Sequence, residues 1–175
     1  MRLPCVFARS GPPSRAFSDR SAITRRAMYE STAPYERKRI HAAAIYCSDG
    51  RLGEHFDDFL SNGLKLPRYD RLALPGGPAA LAEHAATRLE HAAVADELKF
   101  LVEVHGLDRV VLIQHQGCAF YTTRLGLSES SAEQHQRNDL QRAADFVREV
   151  TGVGRIEPFF ARQIDGRVRF ESVEF

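Results

Sequence analysis

No stretch of this 175-residue chain comes near the roughly 20 consecutive apolar residues that a membrane-spanning helix needs. Its first residues also lack a continuous apolar run, which argues against a secretory signal. Cysteine is scarce. Three residues cannot all pair, and a chain this long can bury core enough to do without disulfide staples. These shortages point to a reducing cytoplasm, with thiols free or bound to metal. An excess of charge is missing as well: 24 Lys and Arg stand against 23 Asp and Glu, and a net charge of +1 offers no field for nucleic acid. There is no internal repeat. What is present, 43% apolar and 27% charged residues, is the composition of one ordinary globular domain.

The near-neutral total conceals an uneven distribution. Residues 1–39 carry nine basic residues against three acidic ones, Asp19, Glu30 and Glu36, which leaves the remainder mildly acidic at 15 against 20. Residues 1–38 are rich in Arg, Ser and Pro without a sustained period, and are expected to form a flexible tail or an arm. Residues 39–175 are expected to form the folded domain. Residues 40–47 read as a short buried strand bounded by Ser48-Asp49-Gly50, and residues 54–60 as a helix stopping near Asn62-Gly63. Residues 69–74 make a second strand, halted by Pro75-Gly76-Gly77-Pro78 and expected at or near a sheet edge.

The Ala-rich residues 79–105 read as helical, with Leu81, Ala85, Leu89, Ala92, Leu98, Leu101 and Val102 as the apolar positions and a break near Asp96. Val110-Val111-Leu112-Ile113 implies a central strand buried on both faces. Residues 130–150 form another amphipathic helix, with Leu140, Ala143, Ala144 and Val147 inward. Residues 155–164 and 167–175 alternate about Asp165-Gly166, a two-residue hairpin signal. Alternating strands and helices followed by a hairpin predict an α/β fold: a mostly parallel sheet flanked by helices, with a C-terminal antiparallel hairpin.

In open parallel sheets, ligands sit beyond the carboxyl ends of the strands. The first strand ends in Cys47-Ser48-Asp49-Gly50-Arg51 and the third in His115-Gln116-Gly117-Cys118. Thiolate and imidazole are favoured zinc ligands, and three protein ligands leave the fourth position open, as catalytic sites require. His-x-x-Cys lets two side chains reach one ion from a turn, and Cys47 lies where a neighbouring strand would end. Asp49 and Arg51 then stand beside the metal as an acid–base pair, since Arg51 can keep Asp49 ionised and fixed. Zinc lowers the pKa of a bound water, which makes hydroxide available near neutral pH to attack a small electrophile such as carbon dioxide. His84 and His91 share a helix face and read as surface residues. His55 is a candidate proton relay, and Tyr121 a candidate pocket residue.

The Cys-x-Asp-x-Arg and His-x-x-Cys runs, with the lead-in Leu98-Lys99-Phe100-Leu101-Val102-Glu103-Val104-His105-Gly106-Leu107, resemble the β-class carbonic anhydrase family over residues 40–175. The resemblance implies zinc on Cys47, His115 and Cys118, the Asp49–Arg51 dyad beside it, reversible hydration of carbon dioxide to bicarbonate, and a homodimer or higher homo-oligomer. Three positions depart from the family pattern. Gly50 replaces its usual Ser or Thr, Ala119 its usual Gly, and residues 73–78 its pocket-lining Arg-Asn-Ala-Gly segment. The last change motivates one alternative, a zinc hydrolase of carbonyl sulfide or carbon disulfide; a catalytically inert zinc-binding scaffold is another, which the retention of both Asp49 and Arg51 argues against.

Overall fold

The computed structural model describes residues 29–175. Most of the expected tail, including Cys5 and Met28, lies outside them. In the segment ending at Arg37, Tyr29 and Tyr35 are exposed, and the Ala33 N–H donates to Ser31 Oγ at 3.3 Å.

From Lys38 onward one five-stranded sheet organises the chain. Its strands are β1 (Ala42–Cys47), β2 (Asp70–Leu74), β3 (Arg109–His115), β4 (Arg155–Ile164) and β5 (Arg167–Ser172), in the order β2-β1-β3-β4-β5. β2, β1, β3 and β4 pair in parallel, and β5 returns antiparallel on β4. This is the expected α/β fold with its C-terminal hairpin, and β2 is an edge strand as expected. Asp165 takes the left-handed conformation (φ 51°) that lets a two-residue turn follow the twist of its strands.

Every residue of β1 and β3 is buried, because the sheet is covered on both faces. Strand alternation divides their side chains between two cores. Ala43, Ile45, Val110 and Leu112 face the long helices α2 (Arg88–His105) and α3 (Glu129–Thr151), where Leu98, Leu140, Ala143 and Val147 fill the space. Ala42, Ala44, Tyr46, Val111 and Ile113 face the short helix α1 (Gly53–Asp58), against Leu52, Phe56 and Leu60. A single π-turn, Phe59–Gly63, closes α1 where Asn62-Gly63 was read as a stop. α3 is capped by Ser128 Oγ, which accepts from the Ser131 N–H at 3.3 Å.

The segment 79–105 departs from expectation. It begins as two short 3-10 turns, Gly77–Leu81 and Ala85–Thr87, and only then becomes α2, which runs unbroken through Asp96. The break lies at Glu83, which is left-handed (φ 59°), and His84, which is extended. Counting one helical period across that break gives the wrong face. Leu89 is 85% exposed, while Val94, Ala95 and Leu98 point inward.

Pro75-Gly76-Gly77-Pro78 does more than end β2. A Cβ on Gly77 would stand 2.7 Å from the Tyr46 carbonyl carbon and 2.8 Å from the Cys47 nitrogen, and Gly77 has φ +51°. Only glycine combines that backbone angle with so close an approach to β1. Gly77→Ala should therefore lose about 2 kcal/mol or more, from left-handed strain together with overpacking. A denaturant midpoint equal to that of the wild type would contradict this account.

Candidate metal centre

The pairing register decides which side chains meet. Tyr46 lies level with Ile113, so Cys47 comes one residue beyond that pair and His115 two beyond, at the carboxyl ends of neighbouring strands. Cys47 belongs to a small third core with Cys118, Ala79, Phe120 and Tyr121. His115 approaches from the α1 side, its ring 6.3 Å from that of Phe56. After His115 the chain reverses through Gly117, whose positive φ of 69° brings Cys118 back toward the strand end. Another π-turn, Phe120–Arg124, then leads away.

The donor atoms of Cys47, His115 and Cys118 all lie within 4.8 Å of one another, and all three residues are buried. They are the only group of this kind among the described residues. The sulfurs are 3.8 Å apart and form no disulfide. His115 Nδ1 lies 2.9 Å from the Gln116 carbonyl oxygen, which can only accept, so Nδ1 carries the proton and Nε2 carries a lone pair. That Nε2 is the one buried side-chain nitrogen or oxygen among the described residues with no hydrogen-bond partner. A buried acceptor left unpaired costs about 1–3 kcal/mol. A metal ion between Nε2 and the sulfurs would satisfy it, so the donor set fits such an ion.

The sulfurs share their proton unevenly. The hydrogen bond with Cys118, helped by His115 and the Gly76 N–H, holds Cys47 below the usual thiol range against the opposing effect of burial. The same contact, together with burial, pushes Cys118 above that range. Cys47 is thus the sulfur that loses its proton readily, while Cys118 keeps its own until a metal displaces it, as thiol ligands do on binding an ion.

Asp49 and Arg51 form the expected pair. Arg51 Nε and Nη2 donate to Asp49 Oδ1 and Oδ2 at 2.9 and 2.5 Å, and the Arg51 backbone N–H adds a bond to Oδ1 at 3.0 Å. These hydrogen bonds hold the Asp49 carboxyl at about 2, well below the usual carboxylate value, so it is ionised at any physiological pH. The Asp49 side chain is 16% exposed and that of Arg51 78%, which places the ion pair at the mouth of the site.

A cleft of about 230 Å³ lies there, lined by Asp49, Arg51, Leu52, His115, Gln116, Gly117 and Gln163. Sequence reading missed Gln163, which arrives from β4 with its N–H donating to Gln116 Oε1 at 3.2 Å. Residues 74–78 do not line this cleft; they pass behind Cys47 instead, with Gln114 Nε2 donating to the Gly76 carbonyl at 3.2 Å. Tyr121 is likewise fully buried behind the donors. His84 and His91 are not simple surface residues. His84 Nε2 lies 2.6 Å from Asp139 Oδ2, and His91 Nδ1 bonds the Ala80 carbonyl at 3.1 Å. Gln136 and Asp139 were also missed, although both are polar residues on the otherwise apolar stripe of α3 that holds Ala132, Leu140, Ala143 and Val147.

Comparison with known proteins gives three findings. A family model described as putative carbonic anhydrase matches residues 37–173. Among curated proteins no relative matches. Among solved structures, the β-carbonic anhydrase CafA of the fungal pathogen Aspergillus fumigatus is similar at 15% identity and a TM-score of 0.43, over 79% of this chain and 78% of that one. A tetrameric β-carbonic anhydrase of the filamentous ascomycete Sordaria macrospora is similar at 14% identity and a TM-score of 0.47, over 76% of this chain and 81% of that one.

The donor set makes a direct prediction. Titrating the chain with Co²⁺ should give one equivalent bound with sulfur-to-metal absorption, and Cys118→Ser should abolish it. Full metal uptake by Cys118→Ser would falsify the assignment of that ligand.

Proposed function

This chain belongs to the carbonic anhydrase family whose model spans residues 37–173, and from that premise we propose that it interconverts carbon dioxide and bicarbonate as a zinc lyase. Cys47, His115 and Cys118 would hold the zinc. The observation that carries this reading is the buried, unpartnered lone pair of His115 Nε2 beside two sulfurs, at the floor of a cleft that opens on an ionised carboxylate. Two thiolates and one imidazole suit zinc, and three protein ligands leave a position open to the cleft.

When bound, zinc supplies a water acidic enough to lose its proton near neutral pH. The protein's own residues provide the rest. Asp49, ionised and clamped on both oxygens by Arg51, can only accept hydrogen bonds, so it would orient a water or hydroxide in the cleft rather than supply a proton. Arg51 keeps that carboxylate from turning inward or becoming protonated. Leu52 and the small volume of the cleft favour a small, uncharged substrate. The altered residues 73–78 motivated carbonyl sulfide or carbon disulfide as the alternative substrate. Since residues 74–78 run behind Cys47 and do not form the lining, their change is weak reason to prefer those molecules.

The rest of the reading follows the sequence. Residues 39–175 form the metal-binding domain in this proposal, and the tail or arm expected of residues 1–38 lies mostly outside the described residues. The site of action is the cytoplasm, where Cys47 and Cys118 stay reduced; among the described residues no helix is long and apolar enough to cross a membrane. The chain assembles with itself in this proposal, because β2 is an edge strand of the sheet among the described residues and an unpaired edge is a liability that pairing or coverage removes. Light scattering at micromolar concentration should give a dimer or larger, and a monomer would contradict self-assembly.

The dyad supplies the decisive test. Asp49→Asn should keep its zinc but slow carbon dioxide hydration in stopped flow by about tenfold to a hundredfold, the range of changes to groups that orient a metal site. Arg51→Ala should slow it less directly, and the two effects should not add in the double variant, which should be less impaired than their sum, since both residues serve one interaction. A zinc-loaded wild type that does not hydrate carbon dioxide would leave the hydrolase of carbonyl sulfide or carbon disulfide and the inert scaffold. An active wild type whose Asp49→Asn form keeps its full rate would remove Asp49 from the mechanism and spare the zinc site.

A further inference from the structure

We propose that Asp139, which touches none of the three metal donors, is a positioning residue for the metal centre and sets the donors' spacing through a buried polar chain of Tyr121, Gln114 and Gln136. The proposal rests on the reading that Cys47, His115 and Cys118 hold a metal. It begins from an anomaly of burial. Asp139 is a completely buried carboxylate on the inner face of α3, where an apolar residue would serve packing alone. Replacing buried charges by apolar groups of similar volume is often neutral or stabilising, so packing does not account for this one.

Its partners lead to the site. The Tyr121 hydroxyl donates to Asp139 Oδ2 at 2.7 Å and accepts from Gln114 Nε2 at 2.7 Å. His84 Nε2 meets the same Oδ2 at 2.6 Å, and Arg142 donates to Oδ1. Asp139 thus fixes the direction of the Tyr121 O–H, which leaves the Tyr121 oxygen free to accept from Gln114. Gln114 in turn holds the Gly76 carbonyl at 3.2 Å, and the next residue, Gly77, packs against the Cys47 backbone, where a Cβ would stand 2.8 Å from the Cys47 nitrogen. Gln136 Nε2 bonds Gln114 Oε1 at 3.4 Å and the His115 carbonyl at 2.7 Å. The Tyr121 N–H closes the ligand turn on the Cys118 carbonyl at 3.1 Å. His115 and Cys118 are therefore each one bond from a member of the chain, and Cys47 packs against the turn that Gln114 holds. The sheet register brings the end of β1 beside the single turn that carries His115 and Cys118, and the polar chain fixes that turn against Gly76, because a fully satisfied buried network has few alternative arrangements.

The test uses the full chain loaded with Co²⁺, read by its visible absorption and by the rate at which a chelator removes the metal. Tyr121→Phe deletes one hydroxyl, and Asp139→Asn removes the charge. Val147→Ala is the control, since Val147 sits in the core on the same helix, about two turns beyond Asp139. Both network variants should shift the cobalt bands and release the metal about tenfold faster, at the lower end of effects from groups that orient ligands. Val147→Ala should lower stability and leave both readings unchanged. Unaltered bands and release in Tyr121→Phe, or an equal change in Val147→Ala, overturns the proposal. If Asp139→Asn does not fold, Tyr121→Phe decides alone. A wild type that takes up no cobalt overturns the metal reading and this proposal with it, whereas a loaded wild type with unaffected variants overturns this proposal only.

Discussion

An imidazole nitrogen that has lost water and gained no partner is an unfavourable thing to bury, and the region around His115 is arranged so that its Nε2 is in that condition. The Gln116 carbonyl fixes the ring's tautomer, Phe56 lies to one side, and two sulfurs stand on the other. Such a position is tolerated only if the surrounding structure is firm enough to prevent relaxation. β3, buried along its whole length between β1 and β4, supplies that firmness. The parallel register then determines that the neighbouring strand must end in a residue able to share whatever His115 binds.

Close packing behind the site follows from the same requirement. The run of alanines in β1 allows helices and turns to approach the strand closely, and Gly77 brings the chain against the backbone at Tyr46 and Cys47. Residues 73–78, where this chain departs most from the family's motif, are in this protein a wall behind one sulfur, with the Gly76 N–H directed at it. The cleft side is made by other residues: the Asp49–Arg51 ion pair, Leu52, and the two glutamines Gln116 and Gln163. Support and access are thus divided between opposite sides of the donor cluster, which lets either vary without the other.

The two cores contribute differently to this division. On the side of α2 and α3, aliphatic packing is interrupted by Gln136 and Asp139, and the interruption lies directly behind the ligand turn. On the side of α1, the filling is aromatic: Phe56 contacts Tyr46, and Phe59 stacks on Phe170 at 4.0 Å. A rigid aromatic layer on one face and a hydrogen-bonded one on the other hold the strand ends between them.

What the sequence by itself determined were the features encoded within a few consecutive residues. The unbroken Val110–Ile113 run announced a strand covered on both faces, Asp165-Gly166 announced its hairpin, and the spacings Cys47-x-Asp49-x-Arg51 and His115-x-x-Cys118 announced donors and a charged pair, because each depends on backbone geometry over one turn or strand end. The break at Glu83–His84 was not legible, since an Ala-rich run favours helix locally and only its burial against the sheet forces a left-handed residue there. Gln163, Gln136, Asp139 and His84 gained their meaning only from tertiary structure. The partners that tie them to other elements lie between 18 and 55 residues away, and no periodicity within one element reports which polar side chain will meet another across the core.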